Sequence, residues 1–274
     1  MSRFIKESES FGRAEPRYSG IEILRSTNKL LNALLSYEFA PDLFIDSRIV
    51  SLETNQVLYE HGDKIDSVYF PLNSVVSNLA IMEDGTTFET SMVGFEGLVG
   101  LSAILGSGVS KQWNWVLISG EAAQVEARTL DSLFVRNGEA LKPFLSCYRS
   151  MVIQISQRSV CNTRHTLLER LCCWLLMIHD RVGDINLRLT QELIASRVGA
   201  RRAGVTVAAG LLQEMHAIEY RRGQLHIVNR EALESVACEC YSVLRAEFSQ
   251  IKPAPERGTD VQRNKDAYKR ASND

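Results

Sequence analysis

No cysteine precedes Cys147 in this 274-residue chain, prolines number only six, and no run of residues is apolar enough for long enough to cross a bilayer. Each scarcity removes a class of protein. A membrane-spanning helix needs roughly 18 or more apolar residues in a row, so no membrane partner is expected. The first residues, MSRFIKESESFGRAEPRYSG, lack the apolar core of a secretory signal. That places the chain in the cytoplasm, where thiols stay reduced. The six cysteines (Cys147, Cys161, Cys172, Cys173, Cys238, Cys240) therefore read as free thiols. An excess of either sign is also missing: 31 Lys and Arg against 33 Asp and Glu leave a net of -2. This excludes a uniformly basic nucleic-acid coat but not a basic patch on one domain, because phosphate contact is local. Also missing are a nucleophile elbow, a phosphate-binding glycine loop and an HExxH-type pair. Cys147 and His165 are the nearest approach to a nucleophile and base, and no motif surrounds them, so the chain does not read as an enzyme.

What is present divides by pattern. With 45% hydrophobic and 23% charged residues, the chain can bury one large core or two modest ones without disulfides or metal. Residues 1–20 and 251–274 are polar and aperiodic, and read as flexible tails. A first amphipathic helix is expected between Asn28 and Phe44 on Leu30, Leu31, Leu34 and Leu35, ending near Pro41. From Ile49 to Val125 short apolar runs alternate with turn signals at His61-Gly62-Asp63, Pro71-Leu72-Asn73 and Glu83-Asp84-Gly85. That rhythm predicts a small all-β sandwich or barrel whose interior can hold a small ligand. His61 has no second histidine nearby and is not assigned as a haem or metal ligand.

Past Leu130 the pattern turns helical. Leu141, Leu145, Tyr148, Val152, Ile155 and Ser159 alternate four and three residues apart, the seam of two helices lying side by side. The same stripe also suits a helix packed on its own β domain. Pro143 falls where a first turn tolerates its missing N–H. A second helix, HTLLERLCCWLLMIHDRVG, puts Leu168, Leu171, Leu175 and Ile178 on a stripe that Cys172, Trp174, Leu176 and Met177 broaden. It reads as a buried scaffold helix stopped by Gly183.

The most specific segment is TQELIASRVGARRAGVTVAAGLLQEM, Thr190 to Met215. It reads as a helix-turn-helix. Thr190 caps the first helix, Ile194 and Val198 form its apolar face, and the small Ala195 lets a second helix cross closely. Gly199 falls where the chain must turn sharply. The second helix buries Val205, Ala208, Leu211 and Leu212, and turns Arg201, Arg202, Ala203, Thr206, Val207 and Gly210 outward, toward a major groove. Gly204 and Gly210 each weaken it by roughly 1 kcal/mol relative to alanine. Downstream, two short apolar runs flank Arg221-Arg222-Gly223-Gln224, a β-hairpin with a basic tip, which completes a winged helix. Residues 188–223 hold six arginines (Arg188, Arg197, Arg201, Arg202, Arg221, Arg222) against three acids (Glu192, Glu214, Glu219), a net of +3. A DNA-contacting face requires that sign. The residues read as DNA-contacting are Thr190, Gln191, Arg201, Arg202, Thr206, Arg221 and Arg222. The alternative is a winged helix that docks a protein partner without sequence-specific DNA binding.

This order of parts resembles the CRP/FNR family of bacterial transcription regulators. The matching residues are Val57–Asp63, Val68–Pro71 and Gly94–Leu101 in the β part. In the C-terminal part they are Leu189–Glu192 through Val205-Thr206 and the wing Tyr220–Gly223; the tract Ala237-Cys238-Glu239-Cys240-Tyr241 is similar to one in a subgroup. The resemblance implies an α+β chain: an N-terminal cyclic-nucleotide-binding-like, jelly-roll-like β-roll (21–135), a dimerisation helix (136–162) and a C-terminal winged helix-turn-helix (163–250). It also implies a homodimer, joined through Leu141, Leu145, Tyr148, Val152 and Ile155, that sets two recognition helices about 34 Å apart over an inverted repeat. RNA polymerase is the implied further partner.

Two departures from the family shape the expected input. Cyclic-nucleotide-binding members carry a glutamate for the ribose and an arginine for the phosphate; here Leu98 stands at the first position and Gln112 near the second. Without charge-assisted contacts, tight cyclic AMP binding is not expected. Glu96, out of register, is the one weak candidate for an effector contact, and the effector itself is unknown. Oxygen-sensing members hold an iron-sulfur cluster on N-terminal cysteines, absent here, which excludes that mechanism. Cys172-Cys173 and Cys238-Glu239-Cys240 do not have zinc-knuckle spacing and read as packed helix cysteines, with no metal or cofactor assigned.

Overall fold

The computed structural model describes residues 27–37, 40–183 and 186–248; the tails expected at 1–20 and 251–274 lie outside the described residues. Asn28 caps helix α1 (Lys29–Leu35) by accepting from Leu31 N at 2.9 Å, while its amide donates to Pro71 O and Gly97 O. One buried side chain thus starts the helix and pins it to the β part. The single helix expected here is two. Pro41 lies in the first turn of α2 (Ala40–Leu43), where its missing N–H is harmless, so it opens a helix where an end was expected.

Seven strands follow: β1 (Arg48–Leu52), β2 (Val57–Tyr59), β3 (Ser67–Pro71), β4 (Val75–Ile81), β5 (Thr87–Val93), β6 (Trp113–Ile118) and β7 (Gly120–Glu126). They pair antiparallel as two sheets, in the orders β1-β7-β3 and β2-β6-β4-β5. The β-roll interior is filled by Leu52, Val68, Phe70, Val76, Val93 and Val116, with Leu30 and Leu34 of α1 packed against them. The opposite face of the second sheet is apolar as well: Val75, Met92, Leu117 and Ile118 join a second core built around Trp174, Leu175 and Ile178. Burying both faces removes apolar area on two sides of one sheet, and the second burial docks the C-terminal part onto the roll.

Helix α3 (Ala127–Arg136) leads to the 24-residue α4 (Leu141–Arg164). The buried side of α4 carries Pro143, Phe144, Ser150, Gln154 and Cys161. Gln154 satisfies both backbone groups of Met92 on the edge strand β5, accepting from its N–H at 2.6 Å and donating to its carbonyl at 3.2 Å. That occupies the free edge of β5 at Met92. Thr166 then starts α5 (Leu167–Val182) with a reciprocal capping box to Glu169. Nine of the residues in α5 are buried, as its apolar pattern requires.

The head comprises β8 (Leu187–Arg188), α6 (Gln191–Val198), α7 (Arg202–Glu214), β9 (Ile218–Arg221), β10 (Gln224–Ile227), α8 (Arg230–Val236) and α9 (Cys240–Phe248). Its sheet order is β8-β10-β9. Strand β8 has no counterpart in the sequence reading, because two residues show no alternation. The hairpin tip is two residues, Arg222 at φ 52° and Gly223 at φ 76°, both left-handed as a type I′ turn demands. Two expectations need correction. Leu211 is 42% exposed and Ala209 takes its place in the core. Arg197 is buried and does not belong to the basic face.

The two glycines of α7 differ in what surrounds them. A Cβ on Gly204 would lie 2.8 Å from Leu167 Cδ2, whereas nothing lies within 4 Å of one on Gly210. Gly210→Ala should therefore raise stability by about 0.5–1 kcal/mol, and Gly204→Ala should yield less because Leu167 must move. Thermal unfolding of the two variants checks this.

Candidate DNA-binding surface and its coupling to the sensor domain

Local chemistry sets the recognition face. The Thr190 hydroxyl accepts from Leu193 N at 3.2 Å and starts α6; Gly199, at φ 64° and ψ 52°, ends it in the left-handed conformation that a side chain resists. Ile194, Ala195 and Val198 pack inward, as do Val205, Ala208, Ala209 and Leu212 of α7. Arg201, Arg202, Ala203, Thr206 and Val207 are exposed on the other side of α7. The structure brings several of the expected contacts together. Thr206 Oγ1 donates to Gln191 Oε1 at 2.8 Å, joining the start of α6 to the second turn of α7, and Arg202 pairs with Glu192 at 2.8 Å. The wing is held to the head by Tyr220, whose N–H donates to Gln213 Oε1 at 2.9 Å and whose hydroxyl donates to Leu189 O at 2.7 Å. Arg221 and Arg222 at its tip are exposed.

Arg197 turns inward because a carboxylate waits there. Glu89 of β5 is fully buried at its side chain, and four elements of the chain address it. Trp174 Nε1 of α5 donates to it at 2.8 Å, and the Ser77 hydroxyl of β4 donates at 2.5 Å. Arg158 of α4 lies 3.6 Å away and Arg197 of α6 3.9 Å away. Arg158 also donates to the Arg197 carbonyl at 2.7 Å. Burial pulls the Arg197 guanidinium below its ordinary value, and the Glu89 charge opposes that.

A second buried pair lies in the tract that resembles the phosphate cassette. Glu96 Oε1 accepts from Arg181 Nη2 at 2.6 Å and Nε at 2.9 Å, and from Gly94 N at 3.2 Å. Arg181, from α5, also donates to Met177 O at 2.7 Å and lies 4.3 Å from the Phe248 ring centroid. Gly94 has to be glycine: a Cβ would sit 2.8 Å from Arg181 side-chain carbons. Leu98 is 3% exposed, and Gln112 donates to Thr90 Oγ1 at 3.2 Å. On the strand face that carries Val76, Val93 and Val116, a row of neutral groups replaces charge. Asn114 Nδ2 donates to Asn78 Oδ1 at 2.6 Å, and Asn78 Nδ2 to Ser91 Oγ at 2.9 Å.

The cysteines divide. Cys172 and Cys173 lie inside α5, as packed helix residues should. Cys161, Cys238 and Cys240 instead lie at helix ends and converge with His165 into a group that can hold a metal ion. Spacing alone does not reveal it, because 77 residues separate Cys161 from Cys238. Cys173 first among its neighbours, together with His165, holds the Cys161 thiol below the ordinary range. Burial pushes Cys147, Cys172 and Cys240 up to about 12.

With this geometry in hand, the comparisons are specific about the head. Residues 169–236 match the family model of the Crp-like helix-turn-helix domain. No curated protein matches the chain. Among solved structures it is similar to FixK2 from Bradyrhizobium japonicum, at TM-score 0.59 and 16% identity over 70% of this chain and 98% of that one. It is also similar to a CRP-family transcriptional regulator from Thermus thermophilus, at 0.58 and 16% over 68% and 95%. The c-di-GMP-responsive global regulator CLP of Xanthomonas campestris scores 0.51 at 16% identity over 69% and 97%. The β-roll, the long connecting helix and the winged helix-turn-helix together give the chain the fold of these transcription regulators, with a Crp-like helix-turn-helix in the head. Residues 169–236 belong to the Crp-like helix-turn-helix domain family, and the described chain shares the fold of solved CRP/FNR regulators. No helix among the described residues is long and apolar enough to cross a membrane.

Removing the Glu89 carboxylate would strand two arginines that it faces. Glu89→Ala should cost about 3–5 kcal/mol, the usual penalty for leaving a buried charge without its partner, measured as a fall in the denaturant midpoint.

Proposed function

We propose that the protein works in the cytoplasm as a homodimer that reads an inverted-repeat DNA site. Helix α7 lies in the major groove, and the bound regulator contacts RNA polymerase. The observation that carries this reading is the outward stripe of α4. Leu141, Leu145, Tyr148 and Val152 are 36%, 53%, 37% and 41% exposed, while Phe144 and Gln154 on the other side are buried against the roll. Apolar side chains at this spacing form the seam of a helix pair, with Ile155 continuing it. Pairing two chains there supplies the twofold axis that an inverted repeat requires.

In this reading the chain divides into a sensor-like roll over 21–135, the dimer helix over 136–162 and the DNA-binding head over 163–250. Thr190, Gln191, Arg201, Arg202, Thr206, Arg221 and Arg222 contact DNA. The arginines near the start of α7 take base edges or phosphates, and the wing tip takes backbone. The roll does not take cyclic AMP. Its cassette glutamate position is a buried leucine, Glu96 is committed to Arg181, and the neutral Asn78-Ser91-Asn114 row offers no counter-charge to a phosphate.

Selection from random duplexes followed by footprinting should yield a protected inverted repeat, with affinity falling steeply as salt rises. Absence of any protected repeat at low salt would count against the reading. Arg201→Ala or Arg202→Ala should weaken specific binding by roughly 1–3 kcal/mol with the fold intact. Leu145→Glu should yield a monomer by light scattering, and with it a loss of affinity for the full repeat. Retention of the dimer would remove the α4 seam from the interface.

A further inference from the structure

Four side chains from two distant stretches converge where α4 gives way to α5. Cys161 lies in the last turn of α4, His165 ends it, Cys238 lies between α8 and α9, and Cys240 opens α9. Their ligand atoms all lie within 4.8 Å of one another. Cys161 Sγ is 3.5 Å from Cys238 Sγ, and Cys240 Sγ is 3.4 Å from His165 Nδ1. Zinc bound at about 2.3 Å by sulfur and about 2.0 Å by imidazole has tetrahedral edges of about 3.5–3.8 Å. The observed separations therefore need little adjustment to close around one ion.

The surroundings are those of a ligand set. His165 Nε2 faces Glu239 Oε2 at 3.3 Å, which leaves Nδ1 turned toward the thiols. A carboxylate on the far nitrogen is the common device for orienting a metal-bound imidazole. Gln157 Nε2 donates to Cys240 Sγ at 3.1 Å. Arg158 and Arg170 line the same cleft as Cys161 and Cys240, and the Nε–H of each arginine has no hydrogen-bond partner among the described residues. Three thiolates and one divalent cation carry a net negative charge, which those guanidinium groups offset.

We propose that Cys161, His165, Cys238 and Cys240 form a mononuclear Cys3His zinc site that staples the α4–α5 hinge to the α8–α9 link. Binding converts three thiols to thiolates and releases their protons to solvent; no electron moves. A single ion suits ligand atoms so close together, whereas a two-iron cluster would hold them in two pairs set apart by the iron–iron spacing. The proposal is independent of how the head reads DNA.

The full chain, without an affinity tag, is stripped with EDTA and titrated with zinc or cobalt(II). One equivalent of zinc per chain, a higher melting temperature with zinc, and the intense visible bands of tetrahedral thiolate-bound cobalt are expected. Cys240→Ser should lose the equivalent, and Cys147→Ser, a thiol outside the group, should bind like the wild type. Because a buried cysteine variant can misfold, Glu239→Gln is the second test. Its carboxylate is exposed, and the change should weaken zinc about 10–100-fold while the metal-free melting temperature stays at the wild-type value. Equal zinc affinity in wild type, Cys240→Ser and Glu239→Gln overturns the proposal, as does a wild-type melting temperature that zinc does not change. Iron in place of zinc in the freshly isolated protein overturns the zinc assignment, and two irons per chain with visible absorption overturn the mononuclear one.

Discussion

The Glu89 carboxylate is the interaction on which the arrangement of the whole chain depends. It projects from β5 of the roll, and its partners come from four elements: Ser77 of the same sheet, Arg158 of α4, Trp174 of α5 and Arg197 of the helix-turn-helix. A buried charge costs several kcal/mol to desolvate, and the structure keeps it only because these partners are present together. Each partner is thereby held in place as much as it holds. Trp174 stays at the centre of the second core, and α6 stays docked on the roll. The apolar contact of Val75, Met92, Leu117 and Ile118 with that core supplies area, and Glu89 supplies register. Apolar packing alone tolerates sliding; a carboxylate with directed donors does not.

Glu96 and Arg181 repeat the device at the other end of β5. In the resembling family the cassette faces a ligand; here its acid faces α5, and the guanidinium reaches back to Met177 O and toward Phe248. Both buried acids of the β5 region thus bind the head. An effector that reorients the head must favour, by its own differential affinity, a state in which these pairs are exchanged for others. Moving a two-state population from one extreme to the other takes about 5.5 kcal/mol of such preference.

Much of the head was legible in the sequence because its determinants are local. Thr190 and Gly199 mark the ends of α6 by capping chemistry, and the Arg222-Gly223 tip announces its own turn. The α4 stripe was legible for the same reason, since its spacing repeats. What was not legible depends on partners far away in the chain. Arg197 counts as one more positive charge until Glu89 is placed beside it. Leu211 and Ala209 are equally good apolar residues on adjacent faces, and only the crossing with α5 chooses between them. Pro41 signals a helix boundary without saying which side of it begins. Cysteines two apart or adjacent suggested packing, because the cluster forms across the fold and not along the sequence.

Arg158 shows why these distant groupings belong together. It is mostly buried, lies 3.6 Å from Glu89, donates to the Arg197 carbonyl, and lines the cleft of Cys161 and Cys240. Arg158 and Arg197 face one carboxylate, so the Glu89 group taken alone carries an excess positive charge in a poorly solvated place. The thiol group beside it carries the opposite excess once its cysteines are ionised around a divalent cation. Arg158 stands between the two, so each group lowers the cost of burying the other. The end of α4 is therefore the point where the carboxylate of the roll, the arginine of the head and the Cys3His group meet in one electrostatic unit. A change at any of the three is felt by the helix that the proposed dimer shares.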